Sequence, residues 1–287
     1  MMLLIAAIAI PLGLDLYLPV PEDNPLTAES IEQGRRLFFD SRLSRDQSIS
    51  CSSCHDPERA FTDGRPVAVG VFGRKGRRNS PALVNRGYGR AFFWDARIAT
   101  LEEQVLKPIE DPNEMDLSLP QAAIRVELSP VEISRALASF VRSLLSGDSP
   151  YDRFVSGAPD ALTDPQKDGL RIFRGKANCI ACHVGPNFTD EKLHNTGVAW
   201  LDGRLKDRGA GAGNFKTPTL REIARTAPYM HDGSVATLED LIEYYDRGGN
   251  RNPDLDAEIH PLHLSTVEKS NIIAFLRCLR SESYKKQ

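Results

Sequence analysis

The sequence predicts an all-α chain built as two helical domains in tandem. Three observations carry this. A five-residue pattern, Cys-x-x-Cys-His, occurs twice, as Cys51-Ser-Ser-Cys54-His55 and Cys179-Ile-Ala-Cys182-His183. Each copy follows a stretch of matching make-up, Gly34-Arg-Arg-Leu-Phe38 and Gly169-Leu-Arg-Ile-Phe173, which reads as an amphipathic helix leading into the motif. Period-two alternation of apolar and polar residues, the mark of a half-buried strand, is scarce.

The elements follow in chain order. Residues 1–20 read as an export signal or anchor. Met1 to Leu14 is apolar and holds Ala7-Ile8-Ala9 as a small-x-small site, but it lacks a basic leader and its apolar run is short. The first domain is expected over 21–150 and the second over 151–287. Ser129-Pro130-Val131-Glu132 is a capping box with proline at the first helical position, opening an apolar run through Phe140 and Leu144. Between about 146 and 165 the chain turns polar and rich in Pro and Gly, which sets the domain boundary there. Thr237 is an N-cap for Leu238 to Tyr245. Ser265 with Glu268 opens the last helix, which carries Ile272, Phe275, Leu276 and Leu279. Apart from the N-terminal segment, no stretch is apolar for long enough to span a bilayer.

Composition narrows the partners. The 287 residues carry 36 Lys and Arg against 39 Asp and Glu, a net charge of −3, so there is no basic surplus to grip nucleic acid. With 41% hydrophobic and 26% charged residues, the chain is neither disordered nor a multi-span membrane protein.

The repeated motif carries the chemistry. Two thiols at this spacing form thioethers with haem vinyl groups, and the adjoining histidine becomes the proximal iron ligand. Cys51, Cys54, Cys179 and Cys182 are therefore the attachment residues, and His55 and His183 the axial ligands, of two covalent haem c groups. A zinc site would need the two pairs in one compact cluster, yet they lie far apart and each has its own histidine. Cys278, on an apolar C-terminal stretch, reads as an inert buried thiol. Covalent haem is attached outside the bacterial cytoplasmic membrane, so the protein is expected in the periplasm.

The sixth iron ligand separates catalysis from electron carriage. After His55 the chain offers neither histidine nor methionine until Met115, and the Gly- and Arg-rich loop from Asp63 to Asn85 has no side chain suited to iron. The first haem is therefore expected to be open to a small oxidant, unless a residue from the other half closes it. For the second haem, Tyr245 shares the apolar face of Leu238, Leu241 and Ile242, while Tyr244 points off its flank. From the pattern alone Tyr245 is a core tyrosine with a satisfied hydroxyl. His231, His194, Met230, His260 and His263 compete as ligands, and spacing does not separate them.

The chain resembles the bacterial di-haem cytochrome c peroxidase family, within it the MauG branch. The resemblance runs through Gly34-Arg-Arg-Leu-Phe-Phe-Asp40, both haem motifs, Ala60-Phe-Thr-Asp-Gly64, Arg78-Asn-Ser-Pro81 and Phe93-Trp-Asp95. It continues with Leu101-Glu-Glu-Gln104, Asn113-Glu-Met115, Pro218-Thr-Leu220 and Pro228-Tyr-Met-His-Asp-Gly233. It implies two cytochrome c-like domains, each with one haem. Tyr245 falls fourteen residues after His231, where conventional members place a methionine ligand and the MauG branch a tyrosine. A tyrosinate would stabilise high iron oxidation states. Conventional members also carry a loop histidine that caps the first haem until reduction releases it, and this sequence has none in the corresponding segment.

By the same resemblance, Gln104, Pro108 and Glu114 form the distal pocket over the first haem, with Glu114 moving the peroxide proton and Gln104 orienting the bound oxygen. Trp94 relays electrons between the haems. Asn79, with the carbonyls of Thr226 and Pro228, forms an inter-haem calcium site. One departure stands out: MauG has a tryptophan just before its second motif that passes oxidising equivalents to a protein substrate, whereas Gly175-Lys-Ala-Asn178 contains no aromatic residue. The implied activity is a periplasmic peroxidase that reacts with hydrogen peroxide and draws electrons from a cytochrome, a cupredoxin or a protein substrate. A conventional cytochrome c peroxidase is the alternative, and a non-catalytic di-haem electron carrier the more distant one.

Overall fold

A computed structural model describes residues 8–281 and Tyr284. The early part of the expected export segment, residues 1–7, lies outside the described residues. The chain is helical with little strand: α1 (Ala28–Phe38), α2 (Leu101–Gln104), α3 (Lys107–Glu110), α4 (Leu119–Val126), α5 (Pro130–Ser143), α6 (Pro150–Val155), α7 (Asp164–Arg174), α8 (Leu238–Asp246) and α9 (Thr266–Arg277). Four two-residue strands, β1 (Leu193–His194), β2 (Trp200–Leu201), β3 (Arg204–Leu205) and β4 (Phe215–Lys216), pair as β1 with β4 and β2 with β3, both antiparallel.

Local chemistry sets the helix starts. Capping boxes at Thr27, Ser129, Thr163 and Ser265 open α1, α5, α7 and α9, each satisfying backbone N–H groups that have no intrahelical partner. These four helices then pack as two crossed pairs built alike. A Cβ on Gly34 would lie 1.9 Å from the Ala136 carbonyl oxygen and 2.8 Å from the Phe140 Cβ. A Cβ on Gly169 would lie 1.9 Å from the Asn271 oxygen and 2.8 Å from the Phe275 Cβ. Glycine is thus required at both crossings, because the helix backbones touch there. Beside each crossing the rings stack at a tilt, Phe38 with Phe140 at 5.0 Å and Phe173 with Phe275 at 5.1 Å.

Two hydrophobic cores form around these pairs. The first gathers Leu37, Phe38, Phe61, Ile109, Ile133, Leu137 and Phe140; the second gathers Leu170, Phe173, Phe188, Leu241, Ile272 and Phe275. The chain end crosses back, since Tyr284 is buried in the first core against Phe61.

The polar stretch near 146–165 has a different cause from solvation. Ser146, Ser149 and Asp152 are fully buried. Ser149 caps the short helix α6 in a capping box with Asp152, whose Oδ1 accepts from Arg221 Nη2 at 2.8 Å. Arg221 is also fully buried and donates to the carbonyls of Gly13 and Pro186. One guanidinium thereby ties residues 13, 152, 186 and 221 together.

Candidate functional site

Each Cys-x-x-Cys-His motif folds as a tight turn whose histidine N–H bonds back to its first cysteine carbonyl, at 3.0 Å for His55 and 2.9 Å for His183. Both imidazoles are then fixed by the same device. His55 Nδ1 lies 2.7 Å from the Phe61 carbonyl oxygen, and His183 Nδ1 lies 2.9 Å from that of Phe188. A carbonyl only accepts, so Nδ1 carries the proton and Nε2 keeps its lone pair for a metal. Burial holds both imidazoles neutral, below their ordinary range. The four motif cysteines form no disulfide. Burial pushes Cys51 and Cys179 up to about 12, and Cys54 and Cys182 up to about 11, so all four remain thiols at neutral pH. Paired thiols beside an oriented neutral imidazole are the donor set that covalent haem needs, and these residues fit it.

Cys54, His55, Cys179, Cys182 and His183 line one continuous cavity of about 590 Å³, and Gln104, Pro108, Glu114, Trp94, Asn79, Thr226 and Tyr245 share its wall. Cys51 instead packs against the first core. Pro228 does not reach the wall, although the neighbouring Thr226 and Tyr229 do.

Local structure positions the predicted distal residues. Thr100 caps α2, which ends on Gln104, and Pro108 lies in the first turn of α3. Glu114 follows in a loop held by its own N–H to the Asp111 carbonyl at 3.0 Å. The loop after the first motif closes on it, with Val71 N–H donating to the Glu114 carbonyl at 2.8 Å. A Cβ on Gly70 would sit 2.4 Å from that same oxygen, so only glycine lets the two backbones meet. Burial first, and the Asp111 carboxylate second, raise Glu114 to about 7, with Arg97 pulling the other way. A carboxyl so placed can both hold and release a proton near neutral pH.

Trp94 sits where the two cores meet. Its indole Nε1 donates to the Asn79 carbonyl at 2.8 Å, and its own carbonyl accepts from Lys216 N at 2.7 Å. Asn79 N–H donates to the His231 carbonyl at 2.7 Å, and Asn79 Nδ2 donates to the Arg65 carbonyl, which turns Oδ1 the other way. Arg78 reinforces the junction, pairing with Asp95 at 2.7 Å and with Asp207 at 2.8 Å. Among the described residues no cluster of three or more His, Cys, Asp or Glu is arranged to hold a metal ion. A calcium site here would therefore rest on the Asn79 amide and main-chain carbonyls.

Of the rival ligands for the second haem, His194, Met230, His231 and His260 share the cavity wall with Tyr245, and their partners distinguish them. Tyr245 lines the cavity and packs on the second core, while burial pushes its phenol well above the ordinary range. Tyr244 is buried rather than turned off the helix flank, because its hydroxyl donates to the Thr196 carbonyl at 2.9 Å. His194 is engaged by two carboxylates, Asp256 at 2.5 Å and Asp190 at 2.9 Å. His231 is stacked on Phe215 at 3.7 Å between centroids. His263 is exposed and off the wall, whereas Met230 and His260 border the cavity. Met115 is a core residue of the first half.

Sequence reasoning missed several residues. Phe61 and Phe188 contribute carbonyls that orient the histidines, and the signal was a phenylalanine shortly after each motif. Arg97 acts on Glu114 across the fold, whereas Asp111 does so from three residues earlier in the same loop. Arg86, Glu191 and Lys216 form a buried charged group at the cavity, brought together from distant segments.

Two thiol-and-histidine sites at one cavity define a redox protein with donor sets fitted to two haems. The di-haem cytochrome c peroxidase family profile matches residues 28–160. The methylamine utilization protein MauG of Methylorubrum extorquens is 37% identical over 92% of this chain and 82% of its own. The cytochrome c551 peroxidase of Nitrosomonas europaea is 33% identical over 92% and 84%. A solved MauG-like protein associated with microbial copper homeostasis superposes with a TM-score of 0.85 at 35% identity, over 94% of this chain and 95% of that one. The chain belongs to the di-haem cytochrome c peroxidase family, and it is an oxidoreductase of the peroxidase class.

Proposed function

We propose that the protein is a periplasmic di-haem peroxidase of MauG type, with one covalent haem c in each of two cytochrome c-like domains, 21–150 and 151–287. The observation that carries this reading is Tyr245 on the cavity wall with its neighbour Tyr244 turned into the core. It is joined by the absence of histidine from the loop 63–85. When bound, the haems supply a site for hydrogen peroxide and a store for oxidising equivalents. Cys51 and Cys54 would tether the first and Cys179 and Cys182 the second, with His55, His183 and Tyr245 as protein donors to iron.

The chain's own residues then divide the work. Glu114 takes the proton from the near peroxide oxygen and returns it to the leaving one, a role that its buried setting favours. Gln104 donates to the bound oxygen, and Pro108 closes the pocket without adding a competing donor. Trp94 carries electrons between the two centres. Asn79, with the Thr226 and Pro228 carbonyls, holds calcium at the same junction. Electrons come from a cytochrome, a cupredoxin or a protein side chain. Gly175 to Asn178 ends α7 without an aromatic residue, so MauG's exit route to a protein substrate is not available at this point.

The conventional peroxidase reading rests on the comparable likeness to a cytochrome c551 peroxidase. One experiment separates the two. The diferric protein is mixed with one equivalent of peroxide and followed by stopped-flow absorbance and Mössbauer spectroscopy. Fast oxidation of both irons above ferric is expected. No reaction before half-reduction would establish the conventional enzyme. An unchanged second-haem EPR spectrum in Tyr245→Phe would remove the ligand assignment.

A further inference from the structure

We propose that Lys216, held beside Arg86 and Glu191 in the cavity wall, receives the carboxylate of a haem propionate. The inference rests on the di-haem reading and goes beyond the attachment and axial residues. Lys216 is only 8% exposed. Among the described residues its ammonium has one polar contact, Glu191 Oε1 at 3.5 Å, the outer limit of a hydrogen bond.

That single carboxylate is already committed. Glu191 Oε1 accepts from Arg86 Nη1 at 2.7 Å, and Oε2 accepts from Arg86 Nη2 at 3.2 Å and from the Arg90 amide at 3.3 Å. Arg86 Nη2 also donates to the Ala91 carbonyl at 3.0 Å. The group therefore carries two cations and one anion, an excess of one positive charge away from water. A buried charge without a full partner is costly, and the missing partner must be an anion. Burial, with Arg86 adding repulsion, lowers Lys216 to about 8, the direction expected of an ammonium short of counter-charge.

Position selects the anion. Lys216 and Arg86 both border the cavity that holds the two histidine sites, whereas Glu191 stands behind them. The Lys216 backbone N–H also donates to the Trp94 carbonyl, so the two residues are main-chain neighbours. The carboxylates that a haem brings into such a cavity are its propionates, and their charge matches the excess.

The test uses the holoprotein with wild type, Lys216→Met and Lys216→Arg. Haem content comes from the pyridine haemochrome, midpoint potentials from spectroelectrochemistry, and the propionate bending band from resonance Raman. An unpaired propionate favours the ferric state. Lys216→Met is therefore expected to lower one haem's midpoint potential, leave the other nearly fixed and shift the propionate band. Lys216→Arg should restore both. If Lys216→Met does not fold, Lys216→Gln carries the same readouts. Unchanged potentials and band in a fully loaded variant overturn the proposal. A wild-type potential that tracks buffer-anion concentration would put a free anion there and overturn it too. A wild type that loads fewer than two haems would instead refute the di-haem reading beneath it.

Discussion

At the scale of single residues, environment assigns the roles. Glu114 and Glu110 are both carboxylic acids within one loop's length, yet Glu110 is exposed and Glu114 faces the cavity. Its raised value near 7 means that it is protonated below neutrality and charged above. Taking a proton from peroxide needs the charged form, so the rate should climb with pH through about 7. Glu114→Gln should lose that limb, and kcat/KM for peroxide should fall by roughly 10² to 10⁴. A peroxide pH profile of wild type and variant checks this, and a retained limb would move the base elsewhere.

Secondary-structure elements show a second kind of constraint. The α1–α5 and α7–α9 crossings rest on backbone contact at Gly34 and Gly169, with a tilted phenylalanine pair beside each. Gly34→Ala and Gly169→Ala improve helix propensity, by about 1 kcal/mol each. They also force the helices apart, and overpacking of this kind costs about 1–3 kcal/mol. Net destabilisation is expected in both variants, measured as a lower denaturation midpoint. A gain in stability would mean that the helices slide freely. Most of this level was legible in advance. The caps at Ser129, Thr237 and Ser265 depend only on neighbours in sequence and stand where the side-chain chemistry puts them. The Ser149–Asp152 capping box of α6 is equally local, but its burial was not legible, because Asp152 is paired with Arg221, 69 residues further on.

Across the whole molecule, buried polar ties such as Ser146–Glu222, Arg86–Glu191 and Asp152–Arg221 join segments distant in sequence. The Asp152–Arg221 pair is fully buried, so removing one partner strands the other's charge. Asp152→Ala should cost about 3–5 kcal/mol in chemical denaturation. A loss below about 1 kcal/mol would mean that water reaches Arg221. The proposed calcium at Asn79 makes a separate prediction. Chelation with EGTA should change the EPR spectra of both haems, and added calcium should restore them. Spectra indifferent to chelator would remove calcium from the junction. Among the described residues no helix is long and apolar enough to cross a membrane.

The sequence by itself determined the two thiol-and-imidazole donor sets and the helix starts, because both are written in neighbouring residues. Cys-x-x-Cys-His places thiols and imidazole within one turn, and a capping box closes over three residues. Only the tertiary structure decided which side chains share the cavity. It separated Tyr245 from Tyr244, engaged His194 with two carboxylates and raised Glu114. It also left Lys216 with too little counter-charge. Each of these depends on desolvation, which does not exist until the chain has folded.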